Sequence, residues 1–89
     1  MSLSDPRTAA SGALESLRPL STLRPGASGR IVRVVRDLTG RAERLAAFGV
    51  TPGASVRVVQ TFPGIVFECD QTELAVERAV AGTILVEVF

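Results

Sequence analysis

Short apolar runs separated by proline–glycine breaks set the rhythm of this chain, and the rhythm changes once. "GRIVRVVR", "ASVRVVQT", "IVFEC", "ELAVE" and "TILVEVF" each mix β-branched residues with polar ones at a spacing close to two. That period predicts five half-buried strands. In the third, Ile65, Phe67 and Cys69 share a face; in the last, Ile84, Val86 and Val88 oppose Leu85, Glu87 and Phe89. The first strand is less regular. Its Val-Val doublets leave either Ile31 with Val34 or Val32 with Val35 as the buried set. A bulge or two-sided burial would accommodate the doublets. The stretch "TGRAERLAAFG" has a different period. Ala42, Leu45 and Ala46 fall on one helical face, away from Arg41 and Arg44. Thr39 suits a helix N-cap, and Gly49 suits a left-handed cap at the C-terminal end. "RAVAG" has room for a single 3₁₀-like turn.

The breaks are as informative as the runs. Pro-Gly occurs at Pro25-Gly26, Pro52-Gly53 and Pro63-Gly64, and the first two continue identically as Pro-Gly-Ala-Ser. Pro presets φ at the first central position of a type II turn, and Gly supplies the positive φ required at the second. Each Pro-Gly-Ala-Ser is therefore expected to be a rigid corner feeding a strand into a small bent sheet. The helical stretch follows only one copy, so a repeated turn explains the repeat better than a duplicated domain does. Leu17, Leu20 and Leu23 recur every third residue, but Pro19 and Pro25 block a regular helix. They are expected to form an extended lead-in tucked against the core. Residues 1–16 are small and polar, interrupted by Pro6 and Gly12, and read as a flexible tail. The predicted architecture is mainly β: a tail over residues 1–16, then, over residues 17–89, a small SH3-like barrel. It has about five strands, with one short helix inserted after the first strand. Closure of the barrel would remove exposed strand edges.

Composition narrows the function classes. The chain has 89 residues, 46% of them hydrophobic, with four Phe and neither Trp nor Tyr. Its core must rest on aliphatic residues. Ten basic residues, all Arg, face nine acidic ones for a net charge of +1. That near balance argues against broad nucleic-acid binding, which needs a concentrated basic face. One Cys cannot form an internal disulfide, so a reducing compartment fits. No apolar run approaches the roughly 20 residues of a membrane span, and the N-terminus lacks a secretion signal. A soluble, cytoplasmic chain without membrane insertion is expected. With no His, the chain lacks the usual general base and the commonest transition-metal ligand. It has no P-loop motif, and one Cys is too few for structural zinc. The reading is a non-enzyme without cofactor.

Some residues carry competing readings. Cys69 alternates with Phe67 and Ile65, so burial is the better reading than nucleophile. Glu68, Asp70, Glu73 and Glu77 form a carboxylate group along the third and fourth strands. Such oxygens suit hard cations, but the solvent face of a hairpin explains them more simply. Arg30, Arg33 and Arg36 are three apart, so they do not share a strand face. With Arg41 and Arg44 they could form a patch near the helix. Arg44 is equally suited to bridge the helix to a strand carboxylate. Phe62, beside Pro63-Gly64, is the better exposed apolar residue, whereas Phe67 belongs in the core. Arg41, Arg44 and Phe62 are the expected partner contacts.

The run "LRPLSTLRPGASGRIV…RAERLAAFGVTPGASVRVV" resembles the FeoA family. Its pattern falls on Leu20, Leu23, Pro25, Gly26, Gly29 and Ile31, then on Arg44, Leu45, Gly49, Val50, Pro52, Gly53, Val56 and Val58. Leu74, Ala75, Val76, Ala81, Ile84 and Val86 look similar further on, so the resemblance covers about residues 17 to 88. It departs at the turn "DQT", where Gly is common, and at Ala79, where an acidic residue is frequent. The resemblance implies an SH3-like barrel and a cytosolic accessory or regulatory role in ferrous iron uptake. It also implies docking on a FeoB-type GTP-hydrolysing membrane transporter. The alternative is a metal-responsive module related to iron-dependent repressors, binding a metal ion or a Pro-rich segment. Such a repressor needs a DNA-reading helix ahead of the barrel, and about 16 preceding residues are too few. Weak self-association stays open. Pro25, Gly26, Gly29, Leu45, Gly49, Pro52 and Gly53 are the fold residues of the motif.

Overall fold

The computed structural model describes residues 17–89; the tail assigned to residues 1–16 lies outside the described residues. Strands β1 (Leu17–Pro19), β2 (Ser28–Val34), β3 (Ser55–Gln60), β4 (Ile65–Cys69), β5 (Thr72–Val76) and β6 (Ile84–Val88) form one sheet. Their order is β1-β6-β2-β3-β4-β5, and every neighbouring pair is antiparallel. Helix α1 (Arg41–Ala47) joins β2 to β3, and α2 (Arg78–Ala81), a single α-helical turn, joins β5 to β6. The five expected strands and the inserted helix are present.

The sixth strand comes from the lead-in. Leu17–Pro19 pairs with Glu87–Leu85 of β6. β1 has only that one neighbour, and an edge strand tolerates Pro. The lead-in is not extended throughout. Leu20–Thr22 tightens into a 3₁₀ turn that turns Leu20 fully inward. Among the described residues β1 and β5 each have one strand neighbour, so backbone pairing does not close the barrel as expected.

The repeated Pro-Gly-Ala-Ser has a specific geometry. Both copies make the expected turn: Ala27 N–H donates to Arg24 O at 3.0 Å, and Ala54 N–H to Thr51 O at 3.1 Å. Gly26 has φ +92° and Gly53 φ +96°, which an L side chain resists. Each corner then docks on the strand launched by the other. Gly26 N–H donates to Val58 O at 2.7 Å, and Val58 N–H returns a bond to Ala27 O at 2.9 Å. Gly53 N–H donates to Ile31 O at 2.7 Å, and Ile31 N–H returns one to Ala54 O at 2.8 Å. The register Ser28↔Arg57, Gly29↔Val56, Arg30↔Ser55 makes β2 and β3 a local two-fold pair centred on Gly29 and Val56. The third Pro-Gly is a different device: Phe62–Pro63 is cis, and Gly64 is absent from the positive-φ glycines.

Leu20, Ile31, Val50, Val58, Ile65, Phe67, Ile84 and Val86 are the largest fully buried apolar side chains of the core. The first strand's ambiguity is settled by a register shift between Ile31 and Arg33. Ile31 goes in, Val34 is half-buried, and Val32 and Val35 face outward. On α1, Ala42 and Leu45 pack inward but Ala46 is exposed, against expectation. At seven residues the helix is too short for a wide face to be covered. Gly49 takes φ +90° after it, as a left-handed cap requires. Arg78 ties the layers together: its Nη1 donates to Ser21 O at 3.2 Å and its Nη2 to Thr61 O at 2.6 Å. One guanidinium thereby links α2, the 3₁₀ turn and the β3–β4 connection.

Candidate partner-binding face

The turn before α1 is built by its own side chains. The Asp37 carboxylate accepts the Thr39 hydroxyl and the Thr39 N–H, the latter at 3.0 Å. Thr39 Oγ1 in turn accepts the Arg41 N–H at 3.2 Å. Thr39 thus serves the helix start, although Gly40, at φ +77°, occupies the N-cap position itself. The two Thr39 hydrogen bonds hold the Asp37 carboxyl below the usual carboxylate range, with Arg41 and Arg44 adding smaller attraction.

Arg41 is half-buried, and its Nη1 lies 3.8 Å from Asp37 Oδ2. Arg44 does not bridge to a strand carboxylate. Its Nη1 donates to Thr39 O at 3.1 Å, within its own turn. That carbonyl belongs to the turn just before the helix, whereas the strand carboxylates sit along β4 and β5. Phe62 is 80% exposed, as expected of it. However, it follows the end of β3, whereas α1 precedes its start. The fold therefore keeps Phe62 apart from Arg41 and Arg44.

Other exposed residues flank α1 in sequence. Val32, Val35, Leu38 and Phe48 are all exposed, Leu38 completely. Between α1 and the end of β2 runs a groove of about 240 Å³, with Val32, Val34, Ala42, Ala46 and Val50 among its lining residues. Arg33 and Arg36 both reach this groove. Spacing alone puts residues three apart on opposite faces, but the β2 bulge and the strand end at Val34 bring this pair together. The alternating Val-Val doublets were the signal for the bulge; nothing in the sequence placed α1 against it.

The carboxylates do not converge. Glu68 and Glu73 are opposite one another on β4 and β5, and Glu68 Oε1 lies 3.3 Å from Arg57 Nη2. Asp70, at φ 55°, makes the hairpin turn where Gly was expected, and its Oδ1 accepts the Ser55 N–H at 3.4 Å. Asp tolerates that conformation better than most residues. Among the described residues, no three His, Cys, Asp or Glu side chains are grouped to hold a metal. Cys69 is buried, and its Sγ–H donates to Gly49 O at 3.3 Å. Burial, then the Asp70 charge, pushes its thiol pKa up. A thiol so held is a packing group, since the thiolate is the nucleophile. No helix among the described residues is long and apolar enough to cross a membrane.

The FeoA domain, as a family model, matches residues 18–88. The chain is similar to a crystal structure of an iron uptake regulatory protein, FeoA. The TM-score is 0.74 and the identity 27%, over 82% of this chain and 99% of that one. It is similar to T. acidophilum IdeR at TM-score 0.75 and 22% identity, over 83% of this chain and 35% of that one. The zinc-complexed FeoA of Stenotrophomonas maltophilia, a prokaryotic SH3 domain protein, matches at TM-score 0.68 and 23% identity. That match covers 75% of this chain and 86% of the other. At such identities the last two likenesses concern the fold, which is SH3-like. No curated protein sequence matches the chain.

Proposed function

The chain belongs to the FeoA family, and from that premise we propose a non-enzymatic, cytosolic accessory protein of ferrous iron uptake. It docks on the cytosolic side of a FeoB-type GTP-hydrolysing iron transporter. The observation that supports docking is the face around α1. Val32, Val35, Leu38 and Phe48 are exposed along β2, the β2–α1 connection and the end of α1. Scattered single apolar residues need no explanation, but apolar side chains around one short helix, interleaved with Arg33, Arg36, Arg41 and Arg44, suit a protein partner. Phe62, at the other end of β3, is a separate contact.

The test is an NMR titration of ¹⁵N-labelled protein with the transporter's cytosolic G-domain region, with and without a GTP analogue. Shifts gathered at Arg41, Arg44 and the β2–α1 turn support docking through this face. Absence of shifts with the G domain, together with no co-purification with full-length transporter in membranes, removes the reading.

A further inference from the structure

The groove between β2 and α1 has a definite chemistry. Val50 and Ala42, both buried, form its floor; exposed Val32, Ala46 and Pro52 form its sides. At about 240 Å³ it is smaller than the roughly 300–1,000 Å³ of small-molecule pockets. It is sized for one or two aliphatic side chains. The rim is cationic. Among the described residues no carboxylate pairs with Arg33, and Arg36 meets only Glu43, at 3.8 Å, with both side chains largely in water. Arg33 and Arg36 line the groove and, among the described residues, no carboxylate does, so its rim attracts negative charge.

We propose that this groove receives an acidic segment of a partner protein. An apolar side chain of that segment sits on Val50 between Val32 and Ala46, and flanking carboxylates meet Arg33 and Arg36. The proposal rests on the docking reading for which protein carries the segment, but the recognition chemistry comes from the groove itself. A concave apolar floor suits an inserted side chain better than a lipid surface, onto which a protein instead projects its apolar groups.

The experiment titrates ¹⁵N-labelled full-length protein with three synthetic peptides. One is an amphipathic peptide of Leu, Ala and Glu, the second has Lys for every Glu, and the third keeps Glu but has Ser for every Leu. Phosphatidylglycerol vesicles and a dilution series without peptide complete the set. The acidic Leu peptide is expected to shift the amides of Val32, Ala46 and Thr51. The Lys peptide should leave them unmoved, and the Ser peptide should bind more weakly. The double variant R33E/R36E should keep the parent melting temperature, because both side chains are exposed. It should bind the acidic Leu peptide about tenfold more weakly or worse, since two attractions become two repulsions. Equal binding of the Lys peptide, or unchanged affinity in the double variant, overturns the proposal. So does a response to vesicles alone, or groove shifts that follow protein concentration without peptide, which would seat a second copy there. The two readings separate cleanly. If the transporter binds parent and R33E/R36E equally, docking stands and the groove assignment falls. If the peptide binds as described and the transporter does not, the groove stands with another partner.

Discussion

Replacing Gly29 by Ala should be the most damaging single-methyl change in the sheet. Gly29 lies at the centre of the β2–β3 pair and also sits beside β6, opposite Val88. A Cβ there would stand 2.5 Å from Val86 Cγ1 and closer still to the Glu87 carbonyl oxygen. Comfortable carbon contacts lie near 3.5–4.0 Å. Val86 is fully buried and cannot swing aside, and the carbonyl is backbone. Relief therefore requires β2 and β6 to separate. Overpacking costs about 1–3 kcal/mol, and a backbone obstacle points to the upper end, about 3 kcal/mol. For a domain of this size each kcal/mol lowers Tm by about 4–8 °C, so a fall of about 10–25 °C is expected. Gly53→Ala is the control. Its Cβ meets nothing within 4 Å, and only the positive φ resists it. That costs about 1–2 kcal/mol. Thermal melts followed by far-ultraviolet circular dichroism compare the two. If Gly29→Ala melts as high as Gly53→Ala, the close-approach argument is refuted.

Arg78→Ala should lose about 1 kcal/mol in urea unfolding, the two charged hydrogen bonds being discounted for exposure. Arg78→Lys should recover less than half of that, because a point donor does not span the Ser21 and Thr61 carbonyls together; full recovery would contradict the bridging role. Asp37 should titrate below an ordinary Asp, whose pKa is about 3.9. Its support for the α1 start is complete above the unfolded-state pKa and is lost as pH falls through the lower folded-state value. Amide shifts of Thr39 and Arg41 during acidification read that midpoint, and a midpoint at or above the ordinary one counts against the turn as described. Cys69 should resist Ellman's reagent at neutral pH in the native protein and react fully in denaturant. Its raised pKa also means that the unfolded chain gives up the thiol proton first, so stability declines as pH rises past the usual thiol range. Rapid native labelling would place the thiol outside the core.

Much of the fold was legible because local chemistry and global packing agree. Pro25-Gly26 and Pro52-Gly53 demand turns, and the turns are there. Ile65, Phe67 and Cys69 alternate and are buried. What the sequence did not show depends on long-range pairing. β1 is a strand only because β6 lies alongside it, and Pro19 hides that preference. Ala46 fits the apolar face of a helix by period, yet no element covers it. The candidate site was less legible for the same reason. Arg41 and Arg44 were proposed from their place on the helix, and both lie on α1. Arg33 and Arg36 converge only through a bulge and a strand end, which a period of two treats as faults. Arg78 carried no signal at all, since its two carbonyl partners are brought to it by two separate connections, the 3₁₀ turn and the β3–β4 link.

The position of β6 bears on how the chain is made. It follows every other described strand in sequence, yet it lies inside the sheet between β1 and β2. As the chain leaves the ribosome, β3, β4 and β5 can pair in the order they emerge. β1, with no other strand neighbour, must wait with Leu17 and Leu20 uncovered until Ile84–Val88 appears. Domains fold as units during synthesis, and here the sheet is completed only when β6 joins it. A ribosome stalled before Ile84 therefore holds a meander with one open flank, and emergence of Ile84–Val88 converts it to the full sheet.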